Sequence, residues 1–320
     1  PQPQPQPAAG PELGWRTDFA SQYCLGQRLG RGSYGTVHLG IHHKSGLQAA
    51  VKTLPKVHGK WSREKTLSRI AHETSVLEQL QGVHGVVRTL GFFEDAEDVH
   101  IVTEVCWGGD LQAFALRRGC LDEASLARVA YEVLRIIEGF HDAGYMHGDV
   151  KPGNFVVTVP CRDLATDLPL GGIRAVDVGC ARRLGEGERL MQRAGTPAFM
   201  APEVYAGSFA HKADIWAVGV MLFWLFDGTY PFAEQVDDLQ RASLDDIAAA
   251  VTCCAPSFTS AEWHAMSQDG LDFVRACLCR DEACRVDAKA ALSHPWIQRL
   301  GMPTEPPGVA MASLDDDFFE

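Results

Sequence analysis

One ten-residue stretch, Tyr145 to Asn154 (YMHGDVKPGN), constrains the chain more than any other part of its sequence. It places a carboxylate, Asp149, two positions before an ammonium, Lys151, and five positions before an amide, Asn154. A glycine turn precedes the stretch and the apolar run 155–157 follows it, which predicts a loop leading into a short buried strand. Such a loop can direct the carboxylate and the ammonium at one point, while the amide faces a metal ion from the other side. The pattern therefore indicates phosphoryl transfer.

A glycine-rich run near the start of the chain predicts a second loop with a backbone function. It consists of Leu29, Gly30, Arg31, Gly32, Ser33, Tyr34, Gly35, Thr36 and Val37. Glycine allows close backbone approach, so amides in this run can cover phosphates. Dinucleotide-binding folds carry similar glycines but continue directly into a helix, whereas residues 36–40 continue as a strand. A further predicted strand, 47–51, ends at Lys52.

The spacing of apolar residues predicts the helices around these loops. Residues 111–144 carry such residues at three- and four-residue steps, which predicts a buried helix that leads into the 145–154 loop. Residues 61–80 show helical spacing among many charged side chains. The run 214–223 is strongly apolar, but Asp214 and a break at 227–228 argue against a membrane helix.

Composition narrows the class of protein. The chain has 320 residues, 46% hydrophobic and 22% charged, which suits a globular protein with one large or two modest cores. A formal net charge of −12 argues against nucleic-acid binding, which needs a basic surface. No apolar run approaches the roughly 20 residues that span a bilayer. Ten cysteines, including Cys277, Cys279 and Cys284, fit free thiols better than a disulfide framework or a zinc site, so we expect a cytoplasmic protein, with the nucleus as the alternative.

Taken in order, the stretches resemble the protein kinase domain. The run HGDVKPGN resembles the catalytic loop H-R-D-x-x-x-x-N, with Gly148 in place of the arginine. The run AAVK, with Ala50 and Lys52, resembles V-A-I-K, whose lysine binds the α- and β-phosphates of ATP. Glu73 stands where the kinase helix glutamate pairs with this lysine, although Glu78 is an alternative.

The later motifs follow in the kinase order. Thr103 resembles the small gatekeeper residue, and the resemblance assigns adenine binding to the backbone carbonyl of Glu104 and the backbone amide of Cys106. Asp177-Val178-Gly179 resembles D-F-G, with valine in place of phenylalanine. The run 195–203, GTPAFMAPE, matches the end of a kinase activation segment.

The resemblance covers about Tyr23 to Ile297 and implies an α+β fold of two lobes. Residues 23–105 would form a β-rich N-terminal lobe with one key helix, and residues 106–298 a larger helical lobe. Residues 1–22 begin PQPQPQP and predict a disordered extension, and residues 299–320 predict an acidic tail. A docking motif in either end is the alternative to a passive segment.

The resemblance also implies a mechanism with ATP and Mg²⁺ as cofactors, in which the γ-phosphoryl group passes to a Ser/Thr hydroxyl of a protein substrate. Asp149 would orient the hydroxyl and accept its proton, and Lys151 would neutralise the moving charge. Asp177 and Asn154 would hold magnesium. Lys52, held by Glu73, would anchor the phosphates.

Further expectations concern substrates and structural support. Asp110 would read an arginine upstream of the acceptor, and Thr196 would lie at the substrate site; Gly153, in place of the glutamate of K-P-E-N, weakens the basic preference. Asp214 would support the catalytic-loop backbone. Arg285 would pair with Glu203.

Gly148 leads to an expectation about regulation. The arginine that it replaces usually receives a phosphate from the activation loop. We therefore expect activity without phosphorylation there, in a monomer whose upstream regulator is unknown.

Several phrases, among them LGRGSYGTVHLG and ALSHPWI, resemble the calcium/calmodulin-dependent kinase group, and within it the plant and algal calcium-dependent protein kinases. No calcium loop of the form D-x-[DN]-x-[DN]-G follows residue 297. The chain would then be an excised catalytic domain or resemble short kinases without a regulatory tail, such as phosphoenolpyruvate carboxylase kinase.

Two other functions stay open, together with a question about one thiol. A pseudokinase would bind nucleotide without transfer, and a scaffold would act through the two ends of the chain. Cys180 is either a redox-sensitive thiol or an inert one.

Overall fold

The computed structural model describes residues 12–32, 34–59, 61–232 and 242–301. Its first lobe is built on an antiparallel sheet with the strand order β1-β2-β3-β5-β4. These strands are β1 (Tyr23–Arg31), β2 (Thr36–His42), β3 (Gln48–Pro55), β4 (Thr89–Glu94) and β5 (Asp98–Thr103). The central strand β3 places Lys52 between Val37 of β2 and Ile101 of β5.

Helix α2 (Arg63–Gln79) packs against this sheet. It begins after Ser62, whose hydroxyl accepts a hydrogen bond from the amide of Lys65 and so satisfies one unpaired N–H of the first turn. Residues three and four apart share a helix face, so Ile70, Glu73 and Leu77 lie together on the buried side. A carboxylate is thereby carried into the interior on an otherwise apolar face.

The two faces of the sheet bury different residues. Side chains alternate along a strand, so Lys52 lies on one face of β3 and Val51 on the other. Val51 is fully buried with Phe19 and Phe93 in a separate small core. Phe19 belongs to the short helix α1 (Phe19–Gln22), which covers this outer face. The inner face, which carries Lys52, meets helix α2, where Lys52 pairs with Glu73.

The second lobe is mostly helical. Its helices are α3 (Leu111–Arg118), α4 (Glu123–Asp142), α5 (Pro202–Ala206), α6 (Lys212–Asp227), α7 (Leu244–Cys253), α8 (Ala261–Ala265), α9 (Gln268–Cys277) and α10 (Ala288–Leu292), followed by a π-helical turn, Ile297–Gly301. Its short strands are β6 (Gly109–Asp110), β7 (Tyr145–Met146), β8 (Phe155–Val157), β9 (Ile173–Ala175) and β10 (Arg182–Arg183). These strands frame the loops of the candidate site, and the expected two-lobed α+β fold is confirmed.

Helix α6 forms the centre of this lobe. Thirteen of its sixteen residues are buried, and its apolar side chains lie on every side of the helix. Such a helix is stable only when other helices enclose it, and α4 and α9 both pack against it. Within the part of the chain that the structure describes, no helix is both long and apolar enough to cross a membrane.

The expected single helix over residues 111–144 is two helices. Gly119 ends α3 with φ = 90°, a value that favours glycine, and Asp122 then caps α4 by accepting a hydrogen bond from the amide of Ser125. Apolar periodicity continues through the break because both helices face the same core. Periodicity alone therefore does not show where one helix ends and the next begins.

Residues 12–22 correct the predicted boundary of the N-terminal extension. The amides of Glu12, Leu13 and Trp15 donate to the carboxylate of Glu94, at 2.9 to 3.0 Å. Glu94 also pairs with Lys56 at 2.7 Å, and both side chains are only 0 to 1% exposed. This segment is therefore part of the fold, and only residues 1–11 of the expected extension lie outside the described residues.

The buried Lys56–Glu94 pair generates a stability prediction. Glu94→Gln leaves the Lys56 ammonium with only Glu12, at 3.4 Å, and we expect a loss of about 3 kcal/mol, the lower end of the cost of breaking a buried ion pair. The control is Asp18→Asn, which breaks an exposed pair with Arg16 and should cost far less stability, because water already screens that pair. Denaturant unfolding measures both variants, and equal losses would contradict a structural role for the segment.

Candidate active site

The loop 145–154 is positioned by one buried carboxylate. Asp214, in the first turn of α6, accepts hydrogen bonds from the amides of His147 and Gly148 at 2.8 and 2.9 Å. The ring of His141 lies 3.0 Å away from the same carboxylate. Burial alone would raise the pKa of Asp214, but the hydrogen bond from His141 and the nearby amides hold it below its ordinary value. The predicted support of the loop by Asp214 is present in the structure.

Asp149 lies at the meeting point of four donors. Its Oδ1 accepts from the amide and the hydroxyl of Thr196, both at 2.8 Å. Its Oδ2 accepts from Lys151 at 2.8 Å and from the side-chain amide of Asn154 at 3.0 Å. Lys151 also donates to the Thr196 hydroxyl at 2.8 Å. The carboxylate, ammonium and amide of the loop thus converge, and Thr196 joins them from a distant part of the chain.

Lys52 joins the sheet to helix α2. Its Nζ lies 2.5 Å from Oε1 of Glu73, while the alternative partner Glu78 is exposed. Burial would lower the pKa of Lys52, but the carboxylates of Glu73 and Asp177 outweigh burial and raise it. The charge of Lys52 in turn lowers the pKa of Asp177, against the effect of burial. An ammonium between two carboxylates is therefore charged at neutral pH.

The residues expected to hold a metal ion fit that role together with a phosphate. The side-chain nitrogen of Asn154 donates to Asp149, which leaves its amide oxygen available. Lys52 lowers the pKa of Asp177, which accepts a 3.2 Å hydrogen bond from the amide of Gly179 and no other from the described residues. Within the described ranges, no cluster of three or more His, Cys, Asp or Glu residues could hold a metal by itself. One carboxylate and one amide suit a hard divalent cation whose remaining ligands are phosphate oxygens and water.

The glycine-rich run forms the turn of the β1–β2 hairpin. The amide of Gly32 donates to the carbonyl of Gly35 at 2.9 Å, and Ser33 lies outside the described residues. A Cβ atom on Gly35 would lie 2.2 Å from the carbonyl oxygen of Thr53, so glycine is required there. Leu29, Gly30 and Arg31 end β1, opposite Thr36 and Val37 of β2.

The tip of this hairpin is held by an aromatic stack. The ring of Tyr34 lies 5.0 Å from that of Trp61 and 5.7 Å from that of His58. The guanidinium of Arg69, on α2, lies 4.8 Å from the Tyr34 ring and 4.3 Å from the Trp61 ring. Such cation–π contacts contribute about 0.5–1 kcal/mol each at exposed sites. Sequence reasoning missed this contact because these residues are not close in the chain.

A cleft of about 610 Å³ is lined by six of the predicted site residues, namely Tyr34, Glu73, Asp149, Lys151, Asp177 and Thr196. The volume is in the range of small-molecule sites. Charged groups of both signs thus face a space that is large enough for a ligand.

The predicted adenine-binding residues do not line this cleft. Ala50 and Thr103 pair across β3 and β5, on the sheet face that carries Lys52. The hydroxyl of Thr103 donates to the carbonyl of Glu104 at 3.2 Å, and the Glu104 carboxylate accepts from Arg174 at 3.1 Å. Cys106 follows and is half-buried. The structure thus places Ala50 and Thr103 on the sheet face that carries Lys52, and adenine binding by the predicted residues stays a prediction.

The activation segment, residues 177–203, packs directly on the catalytic loop at Gly148. This glycine has φ = 76°, and a Cβ on it would lie 2.8 Å from the carbonyl of Cys180. A Cβ on Gly195 would lie 2.4 Å from the carbonyl of Gly148. Both ends of the segment therefore approach the loop through backbone atoms at the position that lacks the arginine.

An ion pair that the sequence did not indicate holds the middle of this segment. Arg189 pairs with Glu282 at 2.6 Å and also donates to Ser208, at 2.6 and 2.7 Å. Ninety-three positions separate its two members, so no local pattern could have indicated the pair. In the same segment, the carboxylate of Glu188 accepts a hydrogen bond from the amide of Gly185 at 2.8 Å.

The structure also defines the surroundings of Arg285, Asp110 and Cys180. Arg285 is buried and lies 2.5 and 3.0 Å from the two carboxylate oxygens of Glu203, as expected. Asp110 caps α3 by accepting from the amide of Ala113 at 2.7 Å, so one of its oxygens is occupied. Burial raises the pKa of the Cys180 thiol, which favours the inert form. Burial likewise raises the pKa of Cys277 to about 12.

Comparison with known proteins agrees with this geometry. The family model described as the protein kinase domain matches residues 23–297. The serine/threonine-protein kinase PEPKR2 of Arabidopsis thaliana is 30% identical over 286 residues, which are 89% of this chain and 55% of that protein. Calcium-dependent protein kinase 2 of Oryza sativa subsp. japonica is 33% identical over 312 residues, 96% of this chain and 56% of that protein. The chain therefore belongs to the protein kinase family, and it spans about half the length of the curated relatives it matches.

The buried imidazole of His147 generates a prediction about pH. His147 lies between Phe140 and Phe155, and its Nε2 has no hydrogen-bond partner among the described residues. Burial lowers its pKa, although nearby carboxylates partly oppose this. Because the folded pKa lies below that of an exposed histidine, the unfolded chain binds more protons near pH 6, and acidification favours unfolding.

We therefore expect the free energy of unfolding to fall as the pH is lowered from about 7.5 to about 5.5. His147→Phe keeps the ring packing and should reduce this slope. The matched control is His264→Phe, which changes an exposed histidine and should leave the slope unchanged. An equal slope in wild type and His147→Phe would show that the His147 imidazole is not the titrating group.

Proposed function

We propose that this chain is an ATP-dependent protein serine/threonine kinase. The observation that carries the proposal is the connection of two charged groups in one cleft. One is the hydrogen-bonded set of Asp149, Lys151 and Thr196, and the other is Asp177. Lys52 does not itself line the cleft, but it pairs with Glu73, which does, and its charge lowers the pKa of Asp177. Phosphoryl transfer depends on positioning and on electrostatic stabilisation, and this arrangement supplies both.

Each of these residues has a distinct proposed part in the transfer. Asp149, held by four donors, orients the acceptor hydroxyl and takes its proton as the bond to phosphorus forms. Lys151 lies 2.8 Å from both Asp149 and Thr196 and offsets the charge on the phosphoryl oxygens. Lys52 binds the phosphates of ATP from the opposite side and is itself held by Glu73. The nucleotide is thereby fixed before the substrate hydroxyl arrives.

The metal ion is proposed to be Mg²⁺. Asn154 and Asp177 would hold it, and it would supply charge neutralisation at the phosphates when bound. The chain's own residues keep Asn154 ready for this role, because its side-chain nitrogen is fixed on Asp149. Asp177 is kept ionised by Lys52.

The substrates are proposed to be proteins with a basic residue upstream of the acceptor. Asp110 is the residue that would read it, and it has one free carboxylate oxygen because the other caps α3. Gly153 contributes no negative charge to the binding of a basic residue. A Cβ atom on Gly153 would lie 3.1 Å from Oε1 of Gln112. These features support a weak basic preference. We propose further that the enzyme is a monomer in the cytoplasm or nucleus, which its ten free thiols support.

Activity without activation-loop phosphorylation follows from the sequence of the segment. Residues 177–203 contain a single hydroxyl side chain, that of Thr196. That hydroxyl is bonded to Asp149 and Lys151, so it is already engaged in the site. Arg189, Glu282 and the backbone contacts at Gly148 support the ordered segment without a phosphate.

The kinase proposal is tested with Mg²⁺-ATP and a mixed Ser/Thr peptide library, with and without a calcium chelator. We expect transfer by the unmodified chain that is indifferent to the chelator. Lys52→Met and Asp177→Asn should lose transfer because they remove the phosphate anchor and the metal ligand. Lys44→Met, an exposed lysine in the β2–β3 turn, is the control that should keep full activity.

A chain that binds ATP without transferring phosphate would instead be a pseudokinase. The intact set of charged residues disfavours that function. If ATP does not bind at all, the assignment of the phosphate site is wrong.

Independence from loop phosphorylation is tested separately. Treatment of the purified protein with a phosphatase should leave kcat/KM for a peptide substrate unchanged. Mass spectrometry of residues 177–203 before treatment should show no phosphate. A loss of activity that tracks loss of phosphate from this segment would contradict the proposal.

A further inference from the structure

The carboxylates of the cleft are already matched by cations. Glu73 pairs with Lys52, and Asp149 pairs with Lys151. Asp177 faces Lys52, whose charge lowers the pKa of that carboxyl. A basic residue of a substrate would therefore meet no unmatched carboxylate here, because Asp110 does not line this cleft.

Three arginines add positive charge to the same cleft, and two of them are engaged. Arg69 lies over the rings of Tyr34 and Trp61. Arg182 donates to the carbonyl of Ala181 at 2.8 Å and approaches His72 at 2.6 Å. Arg193 is exposed and has no hydrogen-bond or ion-pair partner within the described parts of the chain. It is thus a guanidinium in the cleft that remains free to bind an anion.

The unpaired guanidinium of Arg193 lies close to the acceptor site. It precedes Thr196 by three residues, a distance of at most about 10 Å along an extended chain. The Thr196 hydroxyl bonds the carboxylate that would orient the acceptor. The phenol of Tyr205 donates to the carbonyl of Pro197 at 2.7 Å, and the charge of Arg193 acts on that phenol. Arg193 therefore lines the same cleft as the acceptor site formed by Asp149 and Thr196.

We propose that Arg193 is a specificity-determining residue, which selects substrates that carry a carboxylate side chain within three residues of the acceptor Ser or Thr. The inference rests on the proposed kinase activity and names a feature of its substrates. Successive residues of an extended peptide advance by about 3.3 Å, so a carboxylate so placed is within reach of the guanidinium. Arginine also suits carboxylates because its planar donors can bind both oxygens.

The test uses a neutral peptide with one serine and matched versions that carry Glu or Gln at each of the three positions on either side. For wild type we expect one position at which Glu raises kcat/KM about fivefold over Gln, as for a partly exposed ion pair. Arg193→Ala should bring this ratio to about one, Arg193→Lys should keep part of it, and Arg193→Glu should favour Lys at that position. The preference should weaken with added salt.

Arg183→Ala is the matched control, since Arg183 is an exposed arginine of the same segment that does not line the cleft. For this variant, the ratio of kcat/KM for the Glu peptide to kcat/KM for the Gln peptide should equal that of wild type. Phosphorylation of the neutral peptide without any preference for Glu, or a preference that survives in Arg193→Ala, overturns the inference and leaves the kinase proposal intact. Failure to phosphorylate any peptide overturns the kinase proposal itself.

Discussion

The carboxylate of Asp214 is the point on which the rest of the candidate site depends. It lies in a helix that other elements enclose, and it accepts two backbone amides of the catalytic loop. A buried carboxylate is costly unless donors surround it, and here the donors are the loop itself. The same bonds therefore stabilise the charge and fix the backbone that presents Asp149. A single side chain therefore fixes the catalytic loop to the rigid hydrophobic core.

Much of this arrangement could be predicted from the sequence, because the residues concerned are either close together in the chain or spaced by the period of a helix or strand. Asp149, Lys151 and Asn154 lie within six residues, so a single loop brings them together. The Lys52–Glu73 pair could be predicted because a strand end and a helix face both have fixed periods. The kinase resemblance then supplied the order of the parts, and the family comparison confirmed it.

The features that could not be predicted from the sequence depend on residues that are far apart in the chain and belong to no recognisable motif. The N-terminal segment is ordered because Glu94, some eighty positions away, accepts its amides. Nothing in a Pro/Gln-rich start indicates a buried ion pair beneath residues 12–15. The break between α3 and α4 at Gly119 could not be predicted because the periodicity of apolar residues continues through it. The sequence indicates only that Gly148 stands in place of an arginine. The structure shows in addition that the missing side chain allows a close backbone contact.

The stack of Tyr34, Trp61 and Arg69 has a consequence for how nucleotide would enter and leave. Tyr34 is at the tip of the hairpin that would cover the phosphates, and Arg69 is on the helix that carries Glu73. Lifting the hairpin therefore separates rings from a guanidinium, and each such contact is worth about 0.5–1 kcal/mol. The hairpin therefore opens for exchange of product for fresh nucleotide either by breaking this contact or by carrying the helix with it. In many enzymes an opening of this kind, and not the chemical step, limits the rate of turnover.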